Sequence, residues 1–347
     1  MQAFSCLKRD RGSPGLDLLA QSRFPPRGLA KLKLVGATMN FRFQTGAIRV
    51  AITLVLSGGY GRAQSEPIKF EFNPPDGAIY EQTSTRTRIL ETPSGPRTDV
   101  SETKSRETVS KTGDGFAIKS KFIHSTISRN GQPIANPISA AMEGLEVTFT
   151  VGKDGQLREI KGFSGIIDAV KSKFPGPVAQ MMIPLFNEDS LVQRERAEWE
   201  GRYAAFVGKS AEIGDVWVGE DDYPLPTGGT AKFYSATTFD SIVDCGGKKC
   251  VLIKFVHDTS SEDLAKLVGE VADGLAQAAG AGSGVVQLTS GVEINGSGER
   301  VVDPSTMIIQ SERIERTIKL EMDIAGQGPQ PATMHEIREY RTTEIGK

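Results

Sequence analysis

Short glycine turns between long runs of alternating polar and apolar residues constrain this chain most strongly. Thr112-Gly113-Asp114-Gly115 separates the runs 100–110 and 116–128, and Gly152-Lys153-Asp154-Gly155 forms a similar turn further along. Turns of this composition predict β-hairpins, because glycine reaches backbone angles that other residues avoid. Many of the runs are polar on one face, which is typical of an antiparallel sheet with one side in water. We therefore expect a mainly antiparallel β protein of the α+β class.

Two β-rich sections, 67–160 and 211–345, flank a helical segment at 164–207. In the helical segment apolar residues recur at intervals of three and four, whereas the flanking sections alternate with a period of two. The two β sections resemble each other loosely, since each combines long strands with a glycine hairpin. This suggests a duplicated architecture with the helices inserted between the halves. The pattern leaves open whether the two sections form one sheet or two.

Residues 39–63 have the features of a secretory signal peptide. A positively charged start precedes the apolar run 50–56, and small residues then lead to a cleavage position between Ala63 and Gln64. The apolar run is too short for a transmembrane helix, which needs about 20 residues. A short buried strand or helix is the alternative interpretation of the run. The signal predicts a periplasmic or secreted protein whose mature chain spans 64–347.

Residues 1–38 precede this signal, and they have no sustained apolar period. Met39 stands directly before the charged start of the signal. We hypothesise that translation begins at Met39 and that 1–38 is an upstream extension that is not native or is disordered. A transit-type extension is the alternative, because such peptides are also rich in arginine and poor in acidic residues.

Removal of the signal changes the charge of the protein. Residues 1–63 hold ten of the 41 Lys and Arg and two of the 43 Asp and Glu, so the remaining 284 residues have a net charge near −10. Nucleic acids and anionic membrane surfaces bind clustered positive charge, so neither is an expected partner. After residue 63 no apolar run reaches transmembrane length, and no transmembrane anchor is therefore expected after cleavage.

Two cysteines of the mature chain, Cys245 and Cys250, flank the turn Gly246-Gly247-Lys248-Lys249. The residues on either side have β character, which predicts a hairpin with a glycine-rich turn. In an exported protein such a pair is expected to form a disulfide across the hairpin. Free thiols are one alternative, and redox or metal chemistry is another, although the spacing is not that of a Cys-x-x-Cys motif.

No pattern in the sequence indicates a catalytic residue or a metal site. His124, His257 and His335 are far apart in the sequence and lack the spacing of metal-binding motifs. The glycine run 280–284 follows a helical pattern, whereas a dinucleotide-binding loop follows a strand. We therefore expect neither a cofactor nor a metal ion.

The most suggestive candidate for ligand binding is an apolar set in the helical segment. Its members are Ile166, Ile167, Val170, Phe174, Val178, Met181, Met182, Ile183, Leu185 and Phe186. The two adjacent methionines offer an adaptable surface. One interpretation is the packed core between helices and sheet. The other is a groove for an acyl chain or for an apolar segment of a partner.

The order of the elements resembles that of a group of exported bacterial proteins of unknown function. The resemblance rests on Gly214-Asp215-Val216-Trp217, on GSGERVVDPSTMI at 296–308 and on ERTIKLEMDI at 315–324. It implies a fold similar to the lipoprotein-localisation (Lol-type) half-barrel, in which a curved antiparallel sheet wraps over helices packed on one face. Lol-type carriers shelter acyl chains between sheet and helices, so the analogy implies a lipid-like ligand. It transfers no catalytic residue.

Together these features predict an exported, non-enzymatic protein that binds or carries a hydrophobic, lipid-like ligand or another envelope component. A structural or protein-interaction module of the envelope without a ligand, whose partner would be an envelope protein, is the first alternative. A hydrolase with a site assembled from scattered residues is the second.

Overall fold

The computed structural model describes residues 30–32, 66–91, 95–173, 187–224, 230–261, 286–288, 292–324 and 329–346. The proposed signal peptide at 39–63 and its cleavage position between Ala63 and Gln64 lie outside the described residues. Residues 30–32, within the proposed upstream extension, are described as a short strand.

The strands alternate with tight turns, as the sequence predicts. In chain order they are β1 (Ala30–Leu32), β2 (Ile68–Lys69), β3 (Ile79–Glu91), β4 (Arg97–Thr112), β5 (Gly115–Arg129), β6 (Gln132–Ile134), β7 (Glu146–Gly152), β8 (Leu157–Lys161), β9 (Ser210–Ala211), β10 (Val216–Pro224), β11 (Thr230–Asp244), β12 (Lys249–Ser261), β13 (Val286–Leu288), β14 (Val292–Val302), β15 (Ile309–Ile324) and β16 (Pro329–Gly346). Both glycine hairpins named above are present, as β4–β5 and β7–β8.

The two β sections form one sheet. Its strand order is β1-β10-β11-β12-β14-β15-β16-β3-β4-β5-β7-β8, with β6 beside β5 and β13 beside β15, and all pairs are antiparallel. The connection between the sections is the pairing of the last strand, β16, with β3. In the described residues the sheet ends at β1 and β8 and is not closed. The expectation of a mainly antiparallel β protein is confirmed.

Strand β14 differs from the sequence expectation. Asn295-Gly296-Ser297-Gly298 has the composition of a turn, yet β14 continues through it from Val292 to Val302. The physical reason is a close approach of neighbouring rings. A Cβ atom on Gly296 would lie 2.7 Å from the His257 ring, and one on Gly298 would lie 2.5 Å from the Phe255 ring. The glycines therefore make room for side chains of β12 and do not form a turn.

The helical segment contains two helices and a π-helical turn. Helix α1 (Pro137–Met142) lies earlier in the chain, and α2 (Phe163–Lys173) and α3 (Glu188–Trp199) follow, with α3 continuing into the π turn Glu200–Ala204. The Asn187 side chain caps α3 by accepting a hydrogen bond of 2.8 Å from the Ser190 backbone N–H. No helix in the described ranges combines the length and the apolar character of a membrane span.

A large aromatic cluster forms the main core at one end of the sheet. Phe70 and Phe72 come from the alternating run after β2 and pack among Trp217, Phe239 and Phe206, with ring centroids 4.8–6.2 Å apart for the contacting pairs among Phe70, Phe206, Trp217 and Phe239. A second, smaller cluster contains Val147, Ile160, Phe163, Ile167 and Leu191. It joins α2 and α3 to β7 and β8. Burial of these apolar surfaces is the main favourable contribution to folding.

The turn between β11 and β12 is closed by the Cys245–Cys250 disulfide, as the sequence predicts. The two Cα atoms are 5.9 Å apart, within the ordinary range for a disulfide. Cys250 is fully buried beside the main core, whereas Cys245 lies at the partly exposed end of the turn. The bridge therefore connects the turn to the core.

Reduction of the disulfide should lower the free energy of unfolding by about 2 kcal/mol, because a short closed loop restricts the unfolded chain only modestly. Denaturant unfolding with and without a phosphine reductant measures the difference. The variant Cys245→Ser supplies the control, and its unfolding should not respond to the reductant. A wild-type protein equally stable in both conditions would contradict the prediction.

Candidate functional site

The strand register aligns side chains from distant parts of the chain in rows across one face of the sheet, which we call the row face. Side chains alternate between faces, so residues paired across strands in steps of two lie on the same side. The apolar row consists of Ile294, Ile318, Met334 and Leu90. The two arginine rows consist of Gly296, Arg316, Glu336 and Arg88, and of Gly298, Ile314, Arg338 and Arg86. The triad row consists of Arg300, Glu312, Tyr340 and Ser84.

Glu312 is the centre of a buried ion triad with Arg300 and Arg202. Arg300 Nε donates to Glu312 Oε1 at 2.7 Å, and Arg202 Nη2 donates to Glu312 Oε2. The Glu312 side chain is 1% exposed and that of Arg300 is 9% exposed. The guanidinium of Arg300 also lies over the Phe255 ring, and that of Arg202 over the Tyr340 ring. Because Arg202 belongs to the π turn, the triad attaches that turn to the sheet.

The triad holds Glu312 in its charged form. Burial alone would raise the pKa of Glu312, but the charges of Arg300 and Arg202 outweigh it and lower the pKa to about 2. Burial opposes the charge on Arg202 as well, and the Glu312 carboxylate nevertheless raises the pKa of Arg202 above its ordinary value. A carboxylate that is fully paired in this way is suited to a structural role, because it has little capacity left to accept a proton.

A second ion cluster lies in the arginine rows around Glu336. Arg86 Nε donates to Glu336 Oε2, Arg88 Nε donates to the same oxygen at 3.0 Å, and Arg316 Nη1 lies 3.8 Å from Glu336 Oε1. Burial would raise the pKa of Glu336, whereas the hydrogen bond and charge of Arg86 lower it below its ordinary value. The Glu336 side chain is 2% exposed, while those of Arg88, Arg86 and Arg316 are 42%, 34% and 31% exposed. The carboxylate is therefore buried beneath arginines that reach solvent.

His257 extends this cluster across the glycine seat at Gly296. Arg316 Nε donates to His257 Nε2 at 3.1 Å, so this nitrogen must be an acceptor and the ring must be neutral. Burial and the neighbouring Arg316 charge lower the pKa of His257 to about 4, which agrees with a neutral ring. His257 thus orients Arg316 without adding charge at neutral pH.

The apolar row lies next to the arginine rows on the same face. Its four side chains are half-buried, and neither core cluster of the described residues includes them. Beyond the row the face is buried again, since Val292 and Ala332 are 1% and 4% exposed. The apolar row and the arginine rows therefore form a half-buried band between two buried regions.

Near the triad row, Glu107 lies beside Tyr203 and Tyr340. Burial raises the pKa of Glu107 to about 7, although a hydrogen bond with Gln82 and the charge of Arg202 oppose the shift. Burial likewise raises the pKa of Tyr203 to about 12 and that of Tyr340 well above its ordinary value. Each of these three side chains nevertheless keeps some solvent-accessible surface.

The residues that the sequence singles out occupy different places. Ile167 is buried in the second cluster, and Ile166 packs against that cluster. Val170 lies in α2, and its side chain is not described. The remaining members of the apolar set, Phe174, Val178, Met181, Met182, Ile183, Leu185 and Phe186, lie outside the described residues. The row face contains none of the described members.

Sequence reasoning missed the charged rows, although β15 carried a usable signal. One side of β15 presents Arg313, Glu315 and Thr317, which are polar throughout, while the other side carries Ile314 and Ile318. The side with isoleucines is the one expected to face protein, so Glu312 and Arg316 on that side were candidates for buried charges.

The three histidines do not form a metal site. His335 Nδ1 lies 3.3 Å from Thr317 Oγ1, His257 contacts Arg316, and His124 is paired opposite Lys104 in β4. Within the described ranges, no three His, Cys, Asp or Glu residues are grouped to hold a metal ion.

Comparison with known proteins identifies no family. No family model matches the chain, and no curated protein matches it. Among solved structures, one described as "lipid-protein interactions in lipovitellin" shares 10% identity at a TM-score of 0.39 and covers 79% of this chain, which spans 26% of that longer chain. DynF from the dynemicin biosynthesis pathway of Micromonospora chersina shares 8% identity at a TM-score of 0.18, covering 85% of this chain and 92% of its own.

An outer membrane channel from Pseudomonas putida F1 shares 11% identity at a TM-score of 0.20, covering 81% of this chain and 100% of its own. Similarities at these scores support no conclusion about the function of this chain. The resemblance to the Lol-type half-barrel therefore stays an expectation.

Replacement of Glu312 by glutamine should destabilise the protein by about 3–5 kcal/mol, because it leaves the buried charges of Arg300 and Arg202 without their carboxylate. Denaturant unfolding measures the loss. Glu315→Gln is the matched control on the same strand. Its side chain is 57% exposed and pairs with Arg313 at the surface, so the change should cost less than about 1 kcal/mol. Equal losses for the two variants would contradict a structural role for the triad.

The variant Glu107→Gln should be more stable than wild type at pH 8 by about 1–3 kcal/mol. The folded-state pKa of about 7 lies above the ordinary value of 4.5, so the folded protein retains a proton that the unfolded chain releases. Wild-type stability therefore falls as the pH rises from about 4.5 to 7, and glutamine removes this dependence. Unfolding at pH 4.5 and pH 8 measures it, with the exposed Glu321→Gln as control. A gain that is equal at both pH values would refute the assignment.

Proposed function

We propose that this chain is an exported, non-enzymatic protein that binds a hydrophobic, lipid-like ligand on the row face, as a carrier of an envelope component. The apolar row is the observation that carries the proposal. Ile294, Ile318, Met334 and Leu90 lie side by side on four adjacent strands, and each retains accessible surface. A filled core would bury them as completely as Ile253 or Phe239 at the other end of the sheet.

The dimensions of the apolar row suit an extended acyl chain. Neighbouring strands are about 4.8 Å apart, so the four side chains follow a line of about 14 Å across the sheet. Each half-buried side chain gains up to about 1 kcal/mol when a ligand removes its remaining apolar surface from water. Together they supply enough free energy for micromolar binding of an apolar ligand once the cost of ordering it is met.

The surroundings of the triad row support a recess on this face. Glu107, Tyr203 and Tyr340 have pKa values shifted by burial, yet each keeps solvent-accessible surface. Groups that are surrounded by protein and still meet solvent are typical of a cavity that opens to the outside.

Our proposal includes the Lol-type arrangement, in which the sheet curves around helices on one face. The contact of Arg202 with Glu312 and the hydrogen bond of 2.8 Å from Trp199 Nε1 to the Gly155 carbonyl support helical residues on the row face. We assign the apolar segment 174–186 to the opposite wall of the ligand site. Ile166 and Ile167 are left out of this wall, because they pack in the second core cluster.

The proposed location is the periplasm or the outside of the cell. The Cys245–Cys250 disulfide supports an oxidising compartment, since such bridges are rare in the reducing cytosol. The signal peptide at 39–63 remains part of this proposal.

A protein-interaction module without a ligand is the second candidate. Tyr234 and Val256 lie on the outer face of adjacent strands β11 and β12, and they are 42% and 45% exposed. Exposed apolar side chains at neighbouring positions are a starting point for contact with another protein. This candidate requires the row face to be filled by the protein itself.

Uptake of a neutral apolar dye, diphenylhexatriene, tests ligand binding directly. The purified protein should increase the dye's fluorescence, and Met334→Gln should weaken binding about tenfold by placing an amide in the apolar row. The control Ile345→Gln changes a 48% exposed residue of the same strand and should bind like wild type. Failure of the wild-type protein to bind, together with organic extracts free of lipid by mass spectrometry, would favour the interaction module.

A further inference from the structure

Positive charge exceeds negative charge in the arginine rows. Arg86, Arg88, Arg316 and Arg338 lie within two neighbouring rows, and Glu336 is the carboxylate at their centre. Glu198 of α3 acts on Arg316 from outside the sheet. With His257 neutral, the four guanidinium groups face two carboxylates.

The arginines themselves show the effect of this imbalance. Burial and the neighbouring charge of Arg338 lower the pKa of Arg316. Burial lowers the pKa of Arg86 as well, with the charges of Arg88 and Arg338 acting in the same direction against Glu336. Like charges at this distance repel one another in a partly desolvated site, so the cluster favours an additional anion.

The geometry leaves the guanidinium groups accessible to such an anion. Arg86 and Arg88 both reach Glu336 through Nε, and a guanidinium carries five N–H donors in total. Glu336 lies below, at 2% exposure, while Arg88 at 42% and Arg86 at 34% reach solvent. Planar arginine groups with remaining donors bind carboxylate and phosphate oxygens well.

The apolar row begins one step along the same strands. Leu90 follows Arg88 by two residues, Ile318 follows Arg316 by two, and Met334 precedes Glu336 by two. Two residues along a strand correspond to about 7 Å. An acidic group on the arginines is thus adjacent to an apolar chain on the row.

We propose that the ligand is an anionic amphiphile with one acyl chain, whose acidic headgroup binds Arg86, Arg88, Arg316 and Arg338 while its chain lies along the apolar row. This inference rests on the proposed function and adds the chemical class of the ligand. In this arrangement Glu336 positions the arginines from below, and His257 orients Arg316.

Comparison of palmitate with cetyl alcohol tests the inference, because the two differ in the headgroup and share the chain length. Wild-type protein should bind palmitate at least tenfold more tightly at low salt, and high salt should reduce the preference. Isothermal titration calorimetry, or displacement of diphenylhexatriene, measures both affinities.

The variant Arg88→Gln should lose most of the preference for palmitate while its affinity for cetyl alcohol stays unchanged. Arg313→Gln is a matched control, since Arg313 is also 42% exposed and also pairs with a glutamate, but lies on the other face. It should keep the full preference. Arg338→Gln provides a second site variant if Arg88→Gln does not fold, and it should behave in the same way.

Equal affinities of the wild-type protein for acid and alcohol would overturn the anionic headgroup and leave the proposed function standing. Binding of neither compound would overturn the proposed function and this inference with it. A full palmitate preference in a folded Arg88→Gln or Arg338→Gln variant would show that the acidic group binds elsewhere and would also reject the inference.

Discussion

The pairing of β16 with β3 is the constraint on which the rest of the structure depends. It joins the two β sections into one sheet, and it brings Glu336 next to Arg86, 250 residues earlier in the chain. A slip of one residue in this register would turn every side chain of one strand to the opposite face. The arginine rows and the apolar row would then be divided between the two faces, so the candidate site exists through this register alone.

The local features of the fold were predictable from the sequence. The glycine hairpins between β4 and β5 and between β7 and β8 are present, the helical segment contains α2 and α3, and the short Cys245–Cys250 loop is bridged. Each of these depends on residues that are close in sequence. Turn composition, helical periodicity and a short cysteine spacing all report on such neighbourhoods.

The candidate site could not be predicted in the same way, because it is assembled from four strands and a π turn. Arg316 and Glu336 stand in strands with polar residues on both sides, so neither one looks like a buried charge until the pairing is known. The run at 295–298 was misleading for a related reason. Its glycines serve the rings of His257 and Phe255 on β12, a strand more than 30 residues away. Composition alone records a glycine and not the neighbour that requires it.

The position of β16 at the end of the chain has a consequence for the order of events during synthesis. Hairpins such as β4–β5 form from adjacent segments and can appear as soon as both strands have been made. The pairing of β16 with β3 closes a loop of more than 200 residues, and contacts so distant in sequence form slowly. Until Pro329–Gly346 is in place, the nascent chain has arginines on β3 without Glu336 and two exposed strand edges. The last eighteen residues of the described chain therefore complete the binding face and also remove its most aggregation-prone edges.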